Sequence, residues 1–158
     1  MLKEMLGMAE GILQDLHNDH QEVATMIEKI INTEDSKERG TLFNEMKTML
    51  LAHSHAEQNV LYKKMEKSDD EKSRQFVFEG MNEHKIVEQQ LQMLSKPRNK
   101  ASEQWTAQMT VLKELVNHHV KEEESTGFSC ARREFETEEL EKLGQQFQRQ
   151  KEKLMAEA

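Results

Sequence analysis

The sequence predicts an all-α protein, an up-down-up-down four-helix bundle with an additional C-terminal helix, and three observations predict it. The 158 residues include one proline and six glycines, too little turn chemistry for an all-β sandwich. Lys, Glu, Gln, Met and Leu dominate, and all are good helix formers. Apolar residues recur at steps of three and four along five successive stretches. Hydrophobic residues make up only 35 % of the chain and charged ones 33 %, but this patterning sets it apart from a disordered chain.

The first helix spans about residues 10–31, with Ile12, Leu16, His20, Val23, Ile27 and Ile30 on one face. The second carries Leu42, Met46, Met49, His53, Glu57, Val60 and Lys64 and continues to about Met65. The third opens at Ser68-Asp69-Asp70-Glu71, a capping-box spacing with acids in the first turn. Its stripe is Val77, Met81, His84, Val87, Leu91 and Leu94, and Pro97 stops it, because the residue before proline avoids the α region. The fourth starts near Ser102 with Trp105, Met109, Leu112, Val116, His119 and Glu123, and Gly127 is its expected terminator. A fifth, about residues 137–156, places Leu140, Leu143, Phe147 and Leu154 on one side. Short connections make successive helices antiparallel neighbours. With no linker or low-complexity tract, residues 1–158 read as a single domain, its bundle at about residues 10–127.

A net charge of −8 argues against nucleic acid as a main partner, since phosphate binding needs a basic surface. No apolar run approaches the ~20 residues of a membrane span. Residues 1–10 show no signal-peptide core, so a cytoplasmic location is expected. The lone Cys130 permits no intrachain disulfide, which fits a reducing compartment. Composition leaves the seven histidines unexplained.

An internal repeat lies in the polar residues. His20 is followed by His53 and Glu57, and His84 by His119 and Glu123, at offsets of 64, 66 and 66 residues. All six sit on the apolar stripe of their helix, where a polar residue must be paired, hydrogen-bonded or metal-bound. His-x-x-x-Glu projects both side chains to one side, one turn apart. Two such pairs on facing helices, with one histidine from each remaining helix, give four imidazoles and two carboxylates at one level of the core. That is a ligand set for two metal ions, with carboxylates able to bridge. A lone core histidine is more often structural than a ligand. Six polar residues on inner faces with repeat symmetry reverse those odds, because burying them unpaired costs several kcal/mol per charge. His and carboxylate ligands suit iron, manganese and zinc alike.

The other candidates have blander readings. His17 lies one turn before His20, either behind it or exposed. His55 is about 200° around the helix from His53 and should face solvent. His118-x-x-x-Glu122 has the same spacing as His119-x-x-x-Glu123, but Leu112 and Val116 continue the stripe of the latter. Glu88, one turn after His84, reads as a solvated edge. Gly80 leaves room beside the site or is a tolerated small residue. The methionines read as core filler. Cys130 reads as a surface or packing thiol with nothing that activates it.

These residues resemble the hemerythrin-like, or HHE cation-binding, family. The matching stretches are Leu16-His17-Asn18-Asp19-His20, His53-Ser54-His55-Ala56-Glu57, Asn82-Glu83-His84 and His119-Val120-Lys121-Glu122-Glu123. The tail Glu138-Glu139-Leu140-Glu141-Lys142-Leu143-Gly144 resembles the family's closing helix. The resemblance implies two iron ions with an oxo or hydroxo bridge. His20, His53, His84 and His119 would be terminal ligands, and Glu57 and Glu123 would bridge. The family's oxygen carriers use a fifth histidine on helix three, where this chain has Glu88, so the set is more similar to the bacterial four-His, two-Glu members. Five ligands per iron would leave a sixth position for a small diatomic ligand, oxygen or nitric oxide. The implied function is a carrier, sensor or scavenger of such a gas. The alternatives are an enzyme reducing nitric oxide or peroxide, a cluster-repair protein, or an iron store. The repair proteins of the family usually carry an N-terminal cysteine, and residues 1–10 have none. A ferritin-like oxidase would show Glu-x-x-His motifs, which this chain lacks.

Overall fold

The computed structural model describes residues 10–158. The stretch 1–9, part of the segment read above for a signal peptide and a cysteine, lies outside the described residues. Helix α1 spans Ile12–Asn32 and α2 spans Ser36–Glu57. A π-helical turn, Gln58–Tyr62, leads into the short α3, Lys63–Met65. Helix α4 spans Glu71–Ser95 and α5 spans Glu103–Glu122, and a second π-helical turn, Glu123–Gly127, joins α5 to α6, Phe128–Glu134. Helix α7 spans Thr137–Glu157. The four long rods form the bundle, and α7 packs along α1 and α2. Among the described residues there is no strand, and no helix is long and apolar enough to cross a membrane.

Local chemistry explains the ends. Asp35 caps α2 by accepting from the Glu38 amide, and Ser102 caps α5 by accepting from the Trp105 amide. Helix α4 starts at Glu71 with Asp70 as its cap, two residues later than the spacing from Ser68 suggests. Ser68 instead accepts from the Asp70 amide, turning the chain before the helix begins. Gly11 precedes α1 at φ 55°, and a Cβ there would lie 2.4 Å from the Leu140 carbonyl, so only glycine lets the start of α7 rest on the start of α1. The buried Arg39 guanidinium is satisfied by the Ile31 and Lys100 carbonyls at the far end of the bundle.

Two expectations fail at the π-helical turns. Lys64 was expected inward but is exposed, while Leu61, Tyr62 and Met65 are buried. A π turn carries one extra residue, so a stripe extrapolated at 3.6 residues per turn goes out of phase after Glu57. Gly127 does not end its helix. It keeps helical dihedrals, and the rod runs on to Glu134. Its role is steric, since a Cβ there would lie 2.4 Å from the Phe76 ring. On α4 the inward position falls to Gly80, and Met81 is exposed.

The core is split in two. One apolar cluster includes Ile12, Leu16, Tyr62, Phe76, Phe128, Leu143 and Phe147. The other includes Val23, Ile27, Phe43, Leu91, Trp105 and Leu112. Between them in sequence, on every rod, stands a buried polar residue of the repeat.

Candidate metal centre

The six residues singled out by the repeat are all buried and converge on this layer. They form two groups, His20, His53 and Glu123, and Glu57, His84 and His119, in each of which the candidate ligand atoms lie within 4.8 Å of one another. Each group takes both imidazoles from one repeat and its carboxylate from the other. The carboxylates also touch across the groups. Glu123 Oε1 is 3.0 Å from His20 Nε2, and Oε2 is 3.6 Å from His119 Nε2. Glu57 Oε1 is 3.2 Å from His84 Nε2 and 4.0 Å from His53 Nε2. Both carboxylates therefore stand between the groups, where a shared ligand would stand.

The chemistry of the donors fits cations. His20 Nε2, Glu57 Oε1 and Oε2, and Glu123 Oε1 are buried without a hydrogen-bond partner. His20 and Glu123 approach closely but out of line for a hydrogen bond. Orphaned buried lone pairs are costly, and a metal ion satisfies them. Burial and the adjacent Glu123 carboxylate push Glu57 well above the ordinary carboxylate range. Burial opposes ionisation of Glu123 too, but His20 and His119 hold it well below that range. Burial alone would lower His20, yet the Glu123 and Glu124 carboxylates raise it to about 9. Burial and the neighbouring His119 push His84 well below its ordinary value. Metal cations would relieve this crowding of acids and bases.

The outward nitrogen of every inner histidine has a partner, which the sequence reading did not find. His53 Nδ1 meets Asp19 Oδ2 at 2.8 Å, and His119 Nδ1 meets Glu83 Oε1 at 2.7 Å. His20 Nδ1 meets Glu124 Oε2 at 2.7 Å, and His84 Nδ1 meets Gln58 Nε2 at 3.0 Å. Such outer partners aim imidazoles and tune their basicity. They obey the same repeat. Asp19 and Glu83 directly precede His20 and His84, and Gln58 and Glu124 directly follow Glu57 and Glu123. Extending the repeat by one residue on each side would have exposed them. Tyr62 was also missed. It is buried, donates to Glu123 Oε2 at 2.5 Å and stacks on His84.

The remaining candidates sort as follows. His17 stands behind the centre, its Nδ1 2.9 Å from Glu124 Oε1. His118 is exposed, and His55 and Glu88 are half-buried, 3.6 Å apart. Gly80 makes room not for a metal but for Tyr62, whose hydroxyl would be 2.8 Å from an added Cβ. Cys130 is a fully buried packing thiol.

The hemerythrin HHE cation-binding domain model matches residues 11–131. A protein described as a DNA nickase, from Nostoc sp. (strain PCC 7120 / SAG 25.82 / UTEX 2576), is 25 % identical over 143 residues. That match covers 90 % of this chain but only 40 % of the relative, so this chain spans well under half of that protein's length. No solved structure matches the chain. The family match covers the whole bundle, including every residue of the two clusters, and the chain belongs to the hemerythrin HHE cation-binding domain family.

Proposed function

We propose that this chain is a non-haem di-iron protein that meets a small diatomic ligand, oxygen or nitric oxide, as a carrier, sensor or scavenger. In this reading His20, His53, His84 and His119 are terminal ligands, and Glu57 and Glu123 are shared by the two ions. Bound iron would supply redox chemistry and a coordination position for the gas. The protein's own residues aim the imidazoles, through Asp19, Glu83, Glu124 and Gln58, and exclude water.

One observation carries the choice of ligand. A cavity of about 20 Å³ opens directly onto all four inner histidines, and its other walls are Val23, Leu50, Ser54, Val87, Val116 and Val120. It holds one water-sized or diatomic molecule. Its aliphatic walls favour an uncharged gas over an ion or an organic substrate. The net charge of −8 supports no nucleic-acid role, and we read the chain as one domain acting in a reducing compartment.

The deciding experiment is metal analysis of anaerobically purified protein, with optical spectra before and after oxygen or nitric oxide. The expected result is two irons per chain and a spectral change with gas. Reaction with oxygen that leaves the protein oxidised is expected rather than a lasting adduct. Zinc with no response to either gas would overturn the proposal.

A further inference from the structure

We propose that the two metal positions differ in affinity, because Gln58 stands where the repeat elsewhere places a carboxylate. The position of His20, His53 and Glu123 fills first and empties last, and that of Glu57, His84 and His119 is the labile one. This inference rests on the di-metal reading above.

Metal binding requires a free lone pair on the Nε2 that faces the centre, so the imidazole proton must sit on Nδ1. A carboxylate beside Nδ1 can only accept, and therefore fixes that tautomer. Asp19 does this for His53, Glu83 for His119 and Glu124 for His20, at 2.8, 2.7 and 2.7 Å. An amide imposes no such choice. Gln58 presents Nε2, a donor, to His84 Nδ1 at 3.0 Å. In that arrangement Nδ1 accepts and the His84 proton sits on Nε2, facing the centre. There it lies 3.0 Å from His119 Nε2, which can accept it, and 3.2 Å from Glu57 Oε1, which is out of line for a hydrogen bond. To bind metal, His84 must move its proton to Nδ1 while the Gln58 amide turns over to present Oε1. The Glu57 position bears that tautomer change and amide turn, and the other, where carboxylates already hold both Nδ1 protons, does not.

The first position also has two carboxylates behind its imidazoles, Asp19 and Glu124, and the second has one, Glu83. Carboxylate partners raise imidazole basicity and with it metal affinity. Tautomer and charge thus point the same way, and both trace to one residue difference at equivalent places in the repeat, Gln58 against Glu124.

The test is anaerobic titration of the metal-free 158-residue chain with Fe(II) in competition with a chromophoric chelator, together with imidazole nitrogen NMR of the metal-free protein. The wild-type chain should bind two ions in two separated steps. Gln58→Glu should tighten the second step, and Glu124→Gln should weaken the first, each by about 10- to 100-fold. A gain of affinity in Gln58→Glu cannot come from a damaged fold. His84→Ala should keep the first step and lose the second. The His84 proton should be on Nε2 in the wild type and on Nδ1 in Gln58→Glu. Two ions binding in one step, or steps whose spacing neither variant changes, would overturn this inference and leave the di-metal reading standing. A wild-type chain that binds no iron would overturn both.

Discussion

In the half of the centre built from α1 and α2, the acid behind the second histidine is sealed from water. Asp19 is buried, with Lys151 Nζ of α7 on Oδ1 at 2.8 Å, and the Phe147 ring meets His53 edge-on at 5.7 Å. In the half built from α4 and α5 the equivalent acid is wet. The Glu83 side chain is 27 % exposed, and its other oxygen lies 3.4 Å from the solvent-facing His118. The candidate ligands repeat and the cover does not, because α7 packs chiefly on α1 and α2. A duplicated motif therefore yields two inequivalent halves once an unrepeated helix is added to one of them.

The largest expected effects break both halves at once. Replacing Glu57 or Glu123 by Ala should lower bound metal to well below two ions per chain, because each carboxylate stands between the groups; elemental analysis reads this directly. Chelation should lower the melting temperature, since an ion at a thousand times its dissociation constant stabilises by about 4 kcal/mol. Identical melting curves with and without metal would argue against a metal centre in the core.

Next come changes that reach only the covered half. Phe147→Ala removes a fully buried ring and should cost about 3–5 kcal/mol in chemical denaturation. It should also loosen His53 more than His119, visible as a difference in imidazole NMR line widths. Lys151→Met strips the cation from the buried Asp19 and should cost about 1.5–3 kcal/mol, while Glu83→Gln in the wet half should cost clearly less. Equal costs would show that α7 does not make the halves different.

Gly80→Ala sharpens the comparison within the centre. Its methyl would crowd the Tyr62 hydroxyl and push the ring from Glu123, at a cost of about 1–3 kcal/mol. Tyrosine fluorescence and metal content should shift together. The smallest effect is expected at His55. His55→Ala should leave metal content unchanged and cost less than about 1 kcal/mol, because its 3.6 Å contact with Glu88 is open to solvent on one side. Metal lost there and retained in Glu57→Ala would mean that the helix phase is wrong.

The candidate ligands were legible because a buried polar residue on an apolar stripe is conspicuous, and a doubled one more so. His20, His53, His84 and His119 each interrupt an aliphatic run at helical spacing. Their outer partners were not, because Asp19, Gln58, Glu83 and Glu124 sit off the stripe among many surface acids and amides. Tyr62 and Met65 were lost for another reason. The π turn after Glu57 shifts the phase by a residue, and hydrophobic periodicity has no means of announcing it.

The sequence by itself determined the helical class, the repeat and the six inward polar residues, because spacing along one helix decides which side chains share a face. Only the tertiary structure decided how those six divide. His53 and Glu57 are one turn apart on a single helix, yet the packing assigns them to different groups, each carboxylate joining imidazoles of the other repeat. Partners across a bundle are fixed by which helices face each other at that level, a relation between distant segments that local spacing does not encode. The same holds for α7, whose amphipathic pattern called for a surface to cover without saying that it would be the α1–α2 half.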